Sequence, residues 1–574
     1  MIRTIPSLSK VSKAIPKAKA TIPYHAMPTK INNLPRLPIP GLKDTIDRYL
    51  RSTKPLTTPS SYSHQVSLTS KFLSSVAPLL HSSIVSTDVR NSKDLLHSSS
   101  NSYIESHWNT MYLSGRWSLP CNSNPFYILE NFKGLQDLAD LTTKLVLWEK
   151  NMREEGLEDD GGCQQSYPLT VSTSRHPHPT FDYLQTHSSS YVILIKNNVY
   201  YKVPINTAEN TRRSFEYIQG LEEEEEFNVG VGTCLDRNSW YDLKSDLGNV
   251  KSFETIDNAA FIICLDSPSP LTPNEESHNM LASYNNRWYD KHQLIMLGNG
   301  VIGFNWEHSF SDGMIWNRLI QDCENMIIND SEEEWIPPKP VTFNLTSSDN
   351  KMLEDATDKA SNELSQCISN HLQGSYGKNV LKTWKVSPDA TMQMAYQIAY
   401  HNMHERVAPT YESCATRNFW RGRTETIRSC TEESKRFVEV FKGDGSVDFK
   451  REAFREAAMR HVEIAGEAKM GMGVDRIFLA LEKEAEKMGV EVELFNDEVY
   501  KESKNWRLST SNVSHPSLRR FGFGPVVGDG YGLGYLVGED TFSVNVTNFK
   551  GGGTDGERMK REIEEAVDGL RKLF

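Results

Sequence analysis

Cysteine is sparse and unpaired in this 574-residue chain. Its eight cysteines (Cys121, Cys163, Cys234, Cys264, Cys323, Cys367, Cys414 and Cys430) show no C-x-x-C spacing. That distribution argues against zinc frameworks and a disulfide scaffold, so no metal is expected and a reducing compartment is the economical setting. Long apolar runs are also missing. The best candidate, Ala259 to Leu265, is far short of the ~20 residues a spanning helix needs and reads as a buried strand. Positive charge is not in excess, because 63 Lys and Arg face 75 Asp and Glu for a net charge of −12. The acids are dispersed apart from Glu222–Glu226, a run read as a solvated loop, and nucleic acid is not an expected partner. Internal repeats are absent, and the terminal Lys572-Leu573-Phe574 is not the S-K-L peroxisomal address.

The first 43 residues lack acids altogether while carrying Arg3, Lys10, Lys13, Lys17, Lys19, Lys30, Arg36 and Lys43. Residues 1–33 therefore read as a mitochondrial transit peptide, the alternative being a basic unstructured arm. Order begins at Leu34 with a proline-rich entry, and Leu42 to Leu50 reads as a helix. A second helix is expected within 55–100, and Glu154 to Pro179 reads as loop. The length implies at least two core units, placed either side of Glu333 to Pro340, with helical patterning to Leu372 beyond it. Strands and helices alternate throughout, which gives an α/β chain. Ser387-Pro388-Asp389 predicts a capped helix start with Met392, Ala395, Tyr396 and Ala399 on one face. The last helix is expected over Glu557 to Leu573.

Two hairpins stand out. One turns at Asn197-Asn198 between Tyr191–Ile195 and Val199–Val203, the other at Gly298-Asn299-Gly300 between Leu294–Leu297 and Val301–Phe304. The second delivers Glu307-His308-Ser309-Phe310-Ser311-Asp312-Gly313 from a strand end, where a general base could sit. A lone strand-end histidine is more often satisfied or solvated than catalytic, so its company decides.

That company is Trp108-Asn109-Thr110-Met111-Tyr112-Leu113, Thr410-Tyr411-Glu412-Ser413-Cys414-Ala415-Thr416 running on to Gly422–Arg428, Leu508-Ser509-Thr510-Ser511, and Phe523-Gly524-Pro525 to Gly532. In this order the segments resemble the choline/carnitine O-acyltransferase family, from Leu34 almost to the C-terminus. The E-H-S-x-x-D-G form, T-Y-E-S-C, G-R-T-E-T-I-R and Asn286-Arg287-Trp288 look most like its mitochondrial long-chain, type II branch. The resemblance implies two mixed-sheet α/β domains of the chloramphenicol-acetyltransferase-like class enclosing an active-site tunnel. The implied division is a helical segment 34–99 packing on the second domain, a first acyltransferase domain 100–340 with the histidine, and a second domain 341–574 with the CoA and carnitine segments. It further implies a carnitine O-acyltransferase of fatty-acid transport and β-oxidation, medium- to long-chain, with acyl-CoA and L-carnitine as partners and no resident cofactor. A monomer at the mitochondrial matrix or the matrix face of the inner membrane is expected, with peripheral membrane association left open.

Residue by residue, the resemblance makes His308 the general base, Asp312 its acidic companion and Ser511 the oxyanion donor. Tyr411, Ser413, Thr424, Arg476, Ser509 and Tyr112 match the carnitine side. Gly377, Lys378, Lys382 and Asp389 match the CoA side, where two lysines four apart could meet a phosphate. Three departures stand against it. The chain is shorter than the type II branch between Lys150 and Tyr191, Arg476 is followed by Ile477-Phe478 instead of His-Leu, and Phe521 falls where long-chain members carry glycine. A bulky side chain there would gate the acyl tunnel, which gives a short-chain carnitine acetyltransferase as an alternative. A non-catalytic acyl-CoA- or carnitine-binding protein is another.

Overall fold

Short runs of β-branched and aromatic residues pair into two mixed sheets in the computed structural model, which describes residues 34–93, 102–222, 227–267, 269–328 and 332–574. The expected transit segment and Glu223–Glu226 of the acidic run lie outside the described residues. The eight-stranded sheet runs in the order Leu518–Gly522, Phe126–Lys133, Val301–Asn305, Gln293–Met296, Ile262–Leu265, Tyr191–Lys196, Val199–Pro204 and Lys339–Val341. Its central strands are buried on both faces. Val192, Leu194, Ile263 and Leu294 enter one apolar core while Ile193, Ile195, Ile262 and Ile295 enter another, as period-2 alternation requires.

The six-stranded sheet runs Cys367–Gly374, Phe542–Phe549, Tyr531–Val537, Leu508–Asn512, Thr410–Ala415 and Thr424–Arg428. Helices Pro388–His404 and Gly556–Arg571 pack on it through Met392, Tyr396, Met559 and Ile563. The two sheets interlock, because Leu518–Gly522 leaves the second sequence half to pair antiparallel with Phe126–Lys133, Phe521 opposite Tyr127. Helices Leu42–Thr53, Pro59–Ser74 and Ala77–Lys93 share a core with Asp475–Met488. There Tyr49 lies 5.2 Å from Phe478 and 5.8 Å from Tyr500, and donates its hydroxyl to Gln65 at 2.9 Å.

Both hairpins form, with Asn197 (φ 50°), Asn198 (φ 63°) and Gly300 (φ 79°) supplying the left-handed turn residues. The Ser387 side chain caps its helix by accepting from Ala390 N–H. That helix is buried all round from Ala390 to Tyr400 and so is not amphipathic, since sheet, helices Glu432–Lys442 and Val447–Lys469, and the last helix enclose it. The loop expected over 154–179 contains Thr173–His176, a strand paired with Tyr183–Thr186. The helical stretch expected to Leu372 ends at Leu364, and Cys367–Gly374 is a strand because its partner Phe542–Phe549 lies far along the chain.

Truncating Phe478, 1% exposed, empties the contact beneath the N-terminal helices. Phe478→Ala is expected to cost about 3–5 kcal/mol in urea unfolding, with protease cleavage of the first three helices accelerated.

Candidate active site

Strand Val301–Asn305 ends where Trp306 turns into the core, and the helix Gly313–Asn325 starts seven residues later. The segment between is pinned from beneath by buried charge. Glu307 accepts from Arg175 Nη1 at 2.8 Å and from Ser309 Oγ at 2.6 Å. Arg175 also donates to Asp182 (2.8 Å), which accepts from Arg237 (2.6 Å), which in turn donates to Asp290 (2.6 Å). Alternating charges of this kind satisfy one another only in one arrangement, so the backbone around His308 has little freedom.

His308 is half-buried, and its Nδ1 lies 2.8 Å from the Ser311 carbonyl. A carbonyl can only accept, so Nδ1 carries the hydrogen and Nε2 holds the lone pair of the neutral ring. Burial lowers the imidazole below its usual value despite the opposing pull of Asp312, and Arg423 pushes the same way as burial. The ring is therefore neutral at physiological pH.

Asp312 is not bonded to that ring. Its two oxygens each accept from Arg423 at 3.1 Å, and the same guanidinium donates to the carbonyls of Ser309 and, at 3.0 Å, His308. Arg423 comes from the loop between strands Thr410–Ala415 and Thr424–Arg428, so the second sheet holds the histidine segment of the first.

Tyr112 packs edge-on against the His308 ring with centroids 5.6 Å apart, and Trp108 lies 5.7 Å beyond it. Arg476 covers Trp108 at 4.1 Å. Its guanidinium donates to the Thr424 carbonyl (2.7 Å), the Thr424 hydroxyl (3.2 Å) and the Tyr411 hydroxyl (3.3 Å). Tyr112, Tyr411, Thr424 and Arg476 thus form one wall running from the histidine. Ser413 is on the same strand as Tyr411, opposite Thr426.

Ser509 and Ser511 share one face of Leu508–Asn512, while Thr510 points away to bond Gln393 and the Tyr411 carbonyl. Just past that strand, the Val513 carbonyl accepts from Asn317 in the helix that follows His308. A Cβ on Gly313 would meet Val513 Cγ1 at 2.9 Å and the Tyr127 hydroxyl at 2.5 Å, so only glycine permits this approach. The strand of Ser511 thus ends against the helix that follows His308.

Lys378 begins a short helix and exposed Lys382 the turn after it. Gly377 allows that backbone to reach the Gly538 and Glu539 carbonyls, which accept from Lys378 and Asn379 N–H at 2.8 and 2.9 Å. Asp389 stands apart from the lysines in a buried network with Glu412, His461 and Tyr535. Among the described residues, Asp389, Glu412 and His461 form the one group of at least three donor residues within 4.8 Å of one another, and hydrogen bonds already join them. Phe521, 5% exposed, packs 5.4 Å from Tyr127 and 5.6 Å from Phe523, and Tyr127 lies 4.5 Å from Trp306.

Residues 37–565 match the family described as Choline/Carnitine o-acyltransferase. The chain belongs to that family. It is similar to the carnitine O-palmitoyltransferase 2, mitochondrial, of Xenopus tropicalis, 31% identical over 90% of this chain and 88% of the relative. The Homo sapiens protein of the same name is 29% identical over 95% and 92%. The carnitine O-acetyltransferase of Columba livia is 28% identical over 94% and 93%.

In this acyltransferase, sequence reasoning assigned no role to Arg423, Trp108, Tyr127 or the Glu412, His461 and Tyr535 group. Arg423 and Trp108 lie within the Gly422–Arg428 and Trp108–Leu113 segments, but a loop arginine or a tryptophan carries no spacing signal of its own. Its grip on Asp312 and on the His308 and Ser309 carbonyls gives Arg423 a testable weight. Arg423→Ala is expected to lower turnover about 100-fold or more, and Arg423→Lys to restore little of it, because an ammonium cannot bridge a carboxylate and two carbonyls in one plane. Steady-state transfer rates with circular dichroism as a folding control check this.

Proposed function

We propose that the protein is a carnitine O-acyltransferase that moves an acyl group reversibly between CoA and the carnitine hydroxyl, with His308 as general base. The observation that carries this reading is the orientation of His308, Nδ1 committed to Ser311 and Nε2 available, beside a wall ending in Arg476. The carnitine carboxylate binds at Arg476, Tyr411 and Thr424, with Ser413, Ser509 and Tyr112 contributing to that pocket. CoA lies on the Gly377, Lys378, Lys382 and Asp389 side, with lysine charge meeting phosphate. The two substrates reach His308 from opposite ends of a tunnel.

In the forward direction Nε2 takes the hydroxyl proton as the oxygen bonds to the thioester carbonyl carbon. The tetrahedral oxyanion is stabilised by the Ser511 hydroxyl. Collapse breaks the carbon–sulfur bond, and the imidazolium returns its proton to the departing thiolate, so no acyl-enzyme forms. The basic N-terminus and the mitochondrial relatives support a mitochondrial location.

Motif wording supports medium- to long-chain substrates. The packing of Phe521 against Tyr127 favours a second reading, a short-chain enzyme, because the ring fills the space a longer chain would need. Acetyl-, octanoyl- and palmitoyl-CoA assayed on wild type and Phe521→Gly decide between them. The glycine variant is expected to shift preference toward longer chains, and an unchanged profile rules out the gate.

His308→Ala is expected to lose about 10²–10⁴-fold in carnitine-dependent CoA release while folding is kept. The wild-type rate should rise with pH through a midpoint below the ordinary histidine value of about 6.5, because the lowered imidazole must be neutral to act. No turnover with any chain length overturns the reading.

A further inference from the structure

Apart from Asp389, the buried group around Glu412 has no part in the steps above, yet it joins the strands that carry Tyr411, Ser413, Ser509 and Ser511. Glu412 lies between Tyr411 and Ser413 on one strand. Asp389 starts the buried helix Pro388–His404, Tyr535 belongs to the neighbouring strand Tyr531–Val537, and His461 projects from the helix Val447–Lys469. Asn512, next to Ser511, donates to Asp389 at 2.9 Å.

Counting hydrogens shows what the group contains. The Tyr535 hydroxyl has one hydrogen, but its oxygen is 2.7 Å from Asp389 Oδ1 and 3.0 Å from Glu412 Oε1, and it already accepts from Gln393 at 3.0 Å. His461 Nε2 likewise faces two oxygens, Asp389 Oδ2 at 3.2 Å and Glu412 Oε2 at 3.3 Å. Two carboxyl groups therefore meet across one hydroxyl hydrogen and one imidazole hydrogen. Two adjacent carboxylates, one of them almost fully buried, repel strongly, and one additional proton removes the conflict. It belongs on Glu412, whose side chain is 4% exposed against 30% for Asp389.

We propose that Glu412 is a positioning residue: its neutral carboxyl, shared with Asp389 and clamped by Tyr535 and His461, sets the register of the strands bearing Tyr411, Ser413, Ser509 and Ser511. Supporting this, burial and the neighbouring Asp389 push the Glu412 carboxyl well above its ordinary range, while Asp389 is held low, with His461 and Asn512 among its stabilising partners. The titratable groups facing Glu412 are Asp389 and Tyr396 from the helix, His461, Tyr535, and Cys414 and Glu425 further along the same sheet face. His461 alone among them is a potential cation, so ionising Glu412 places a second negative charge in a group with a single positive candidate.

The sign follows from the raised carboxyl. Its contribution is complete at low pH and is lost as pH rises through the folded-state value. Glu412→Gln keeps the shape and the hydrogen-bonding of the neutral acid but cannot ionise.

The test, which rests on the transferase reading for its kinetic arm only, measures transfer rate and thermal midpoint of the full chain from about pH 6 to about pH 9.5 for wild type, Glu412→Gln and Glu412→Ala. The wild-type rate is expected to fall at alkaline pH as Glu412 ionises, while Glu412→Gln stays within about threefold of wild type at neutral pH and shows no such fall, and Glu412→Ala loses about tenfold or more. The wild-type midpoint should decline with pH more steeply than that of Glu412→Gln. A large loss in Glu412→Gln at neutral pH overturns the proposal, as do melting curves that run parallel across the range. If wild type shows no transfer, the functional reading fails while the melting comparison still decides the proton.

Discussion

The grip of Arg423 on Asp312 and on the carbonyls of His308 and Ser309 is the interaction on which the site depends. Neither sheet alone holds both the histidine and the wall that faces it. The first supplies His308 at a strand end, and the second supplies Tyr411, Thr424 and the strand of Ser511. One planar guanidinium with several donors joins them at a fixed distance, which a flexible point charge could not do. Interlocking by Leu518–Gly522 secures the same junction from the other side.

Burial then sets the chemistry. Asp312, which could have drawn a proton onto the imidazole, has its oxygens occupied by Arg423, so desolvation prevails and His308 stays neutral. Charge is tolerated beneath it only as the chain from Glu307 through Arg175, Asp182 and Arg237 to Asp290, where each acid meets a guanidinium. Removing one member leaves an uncompensated charge, so this network fixes geometry more than it adds stability. Arg476 differs. Its hydrogen bonds go to a carbonyl and two hydroxyls and it covers an aromatic face, while the nearby Glu425 and Asp475 favour its charge without a direct ion pair.

Local signals made a good part of this legible. Asn197-Asn198, Ser387-Pro388 and the alternation of Ser509 and Ser511 each specify backbone through a single residue or pair, and the structure follows them. The E-H-S-x-x-D-G segment was readable as a strand-end histidine. What escaped is non-local. Nothing near Leu518–Gly522 says that it joins the first sheet, and nothing near Pro388–His404 says that other elements enclose its polar-looking face. Arg423 acts 115 residues from the His308 carbonyl it holds, and Glu412 meets His461 across two elements. Periodicity reports which face is buried, but not which distant charge waits there.

The crossing strand also ties Phe521 to the segment that carries His308. Phe521 and Tyr127 are direct partners on adjacent strands, and Tyr127 donates its hydroxyl to the carbonyl of Gly313 at 3.1 Å. Gly313 opens the helix that follows Asp312, with no room for a side chain between Tyr127 and Val513. An acyl chain that displaced Phe521 would move Tyr127, and with it the start of that helix. In such a packed interior small shifts propagate instead of being absorbed. Phe521, Tyr127 and the segment that carries His308 are therefore one mechanical unit.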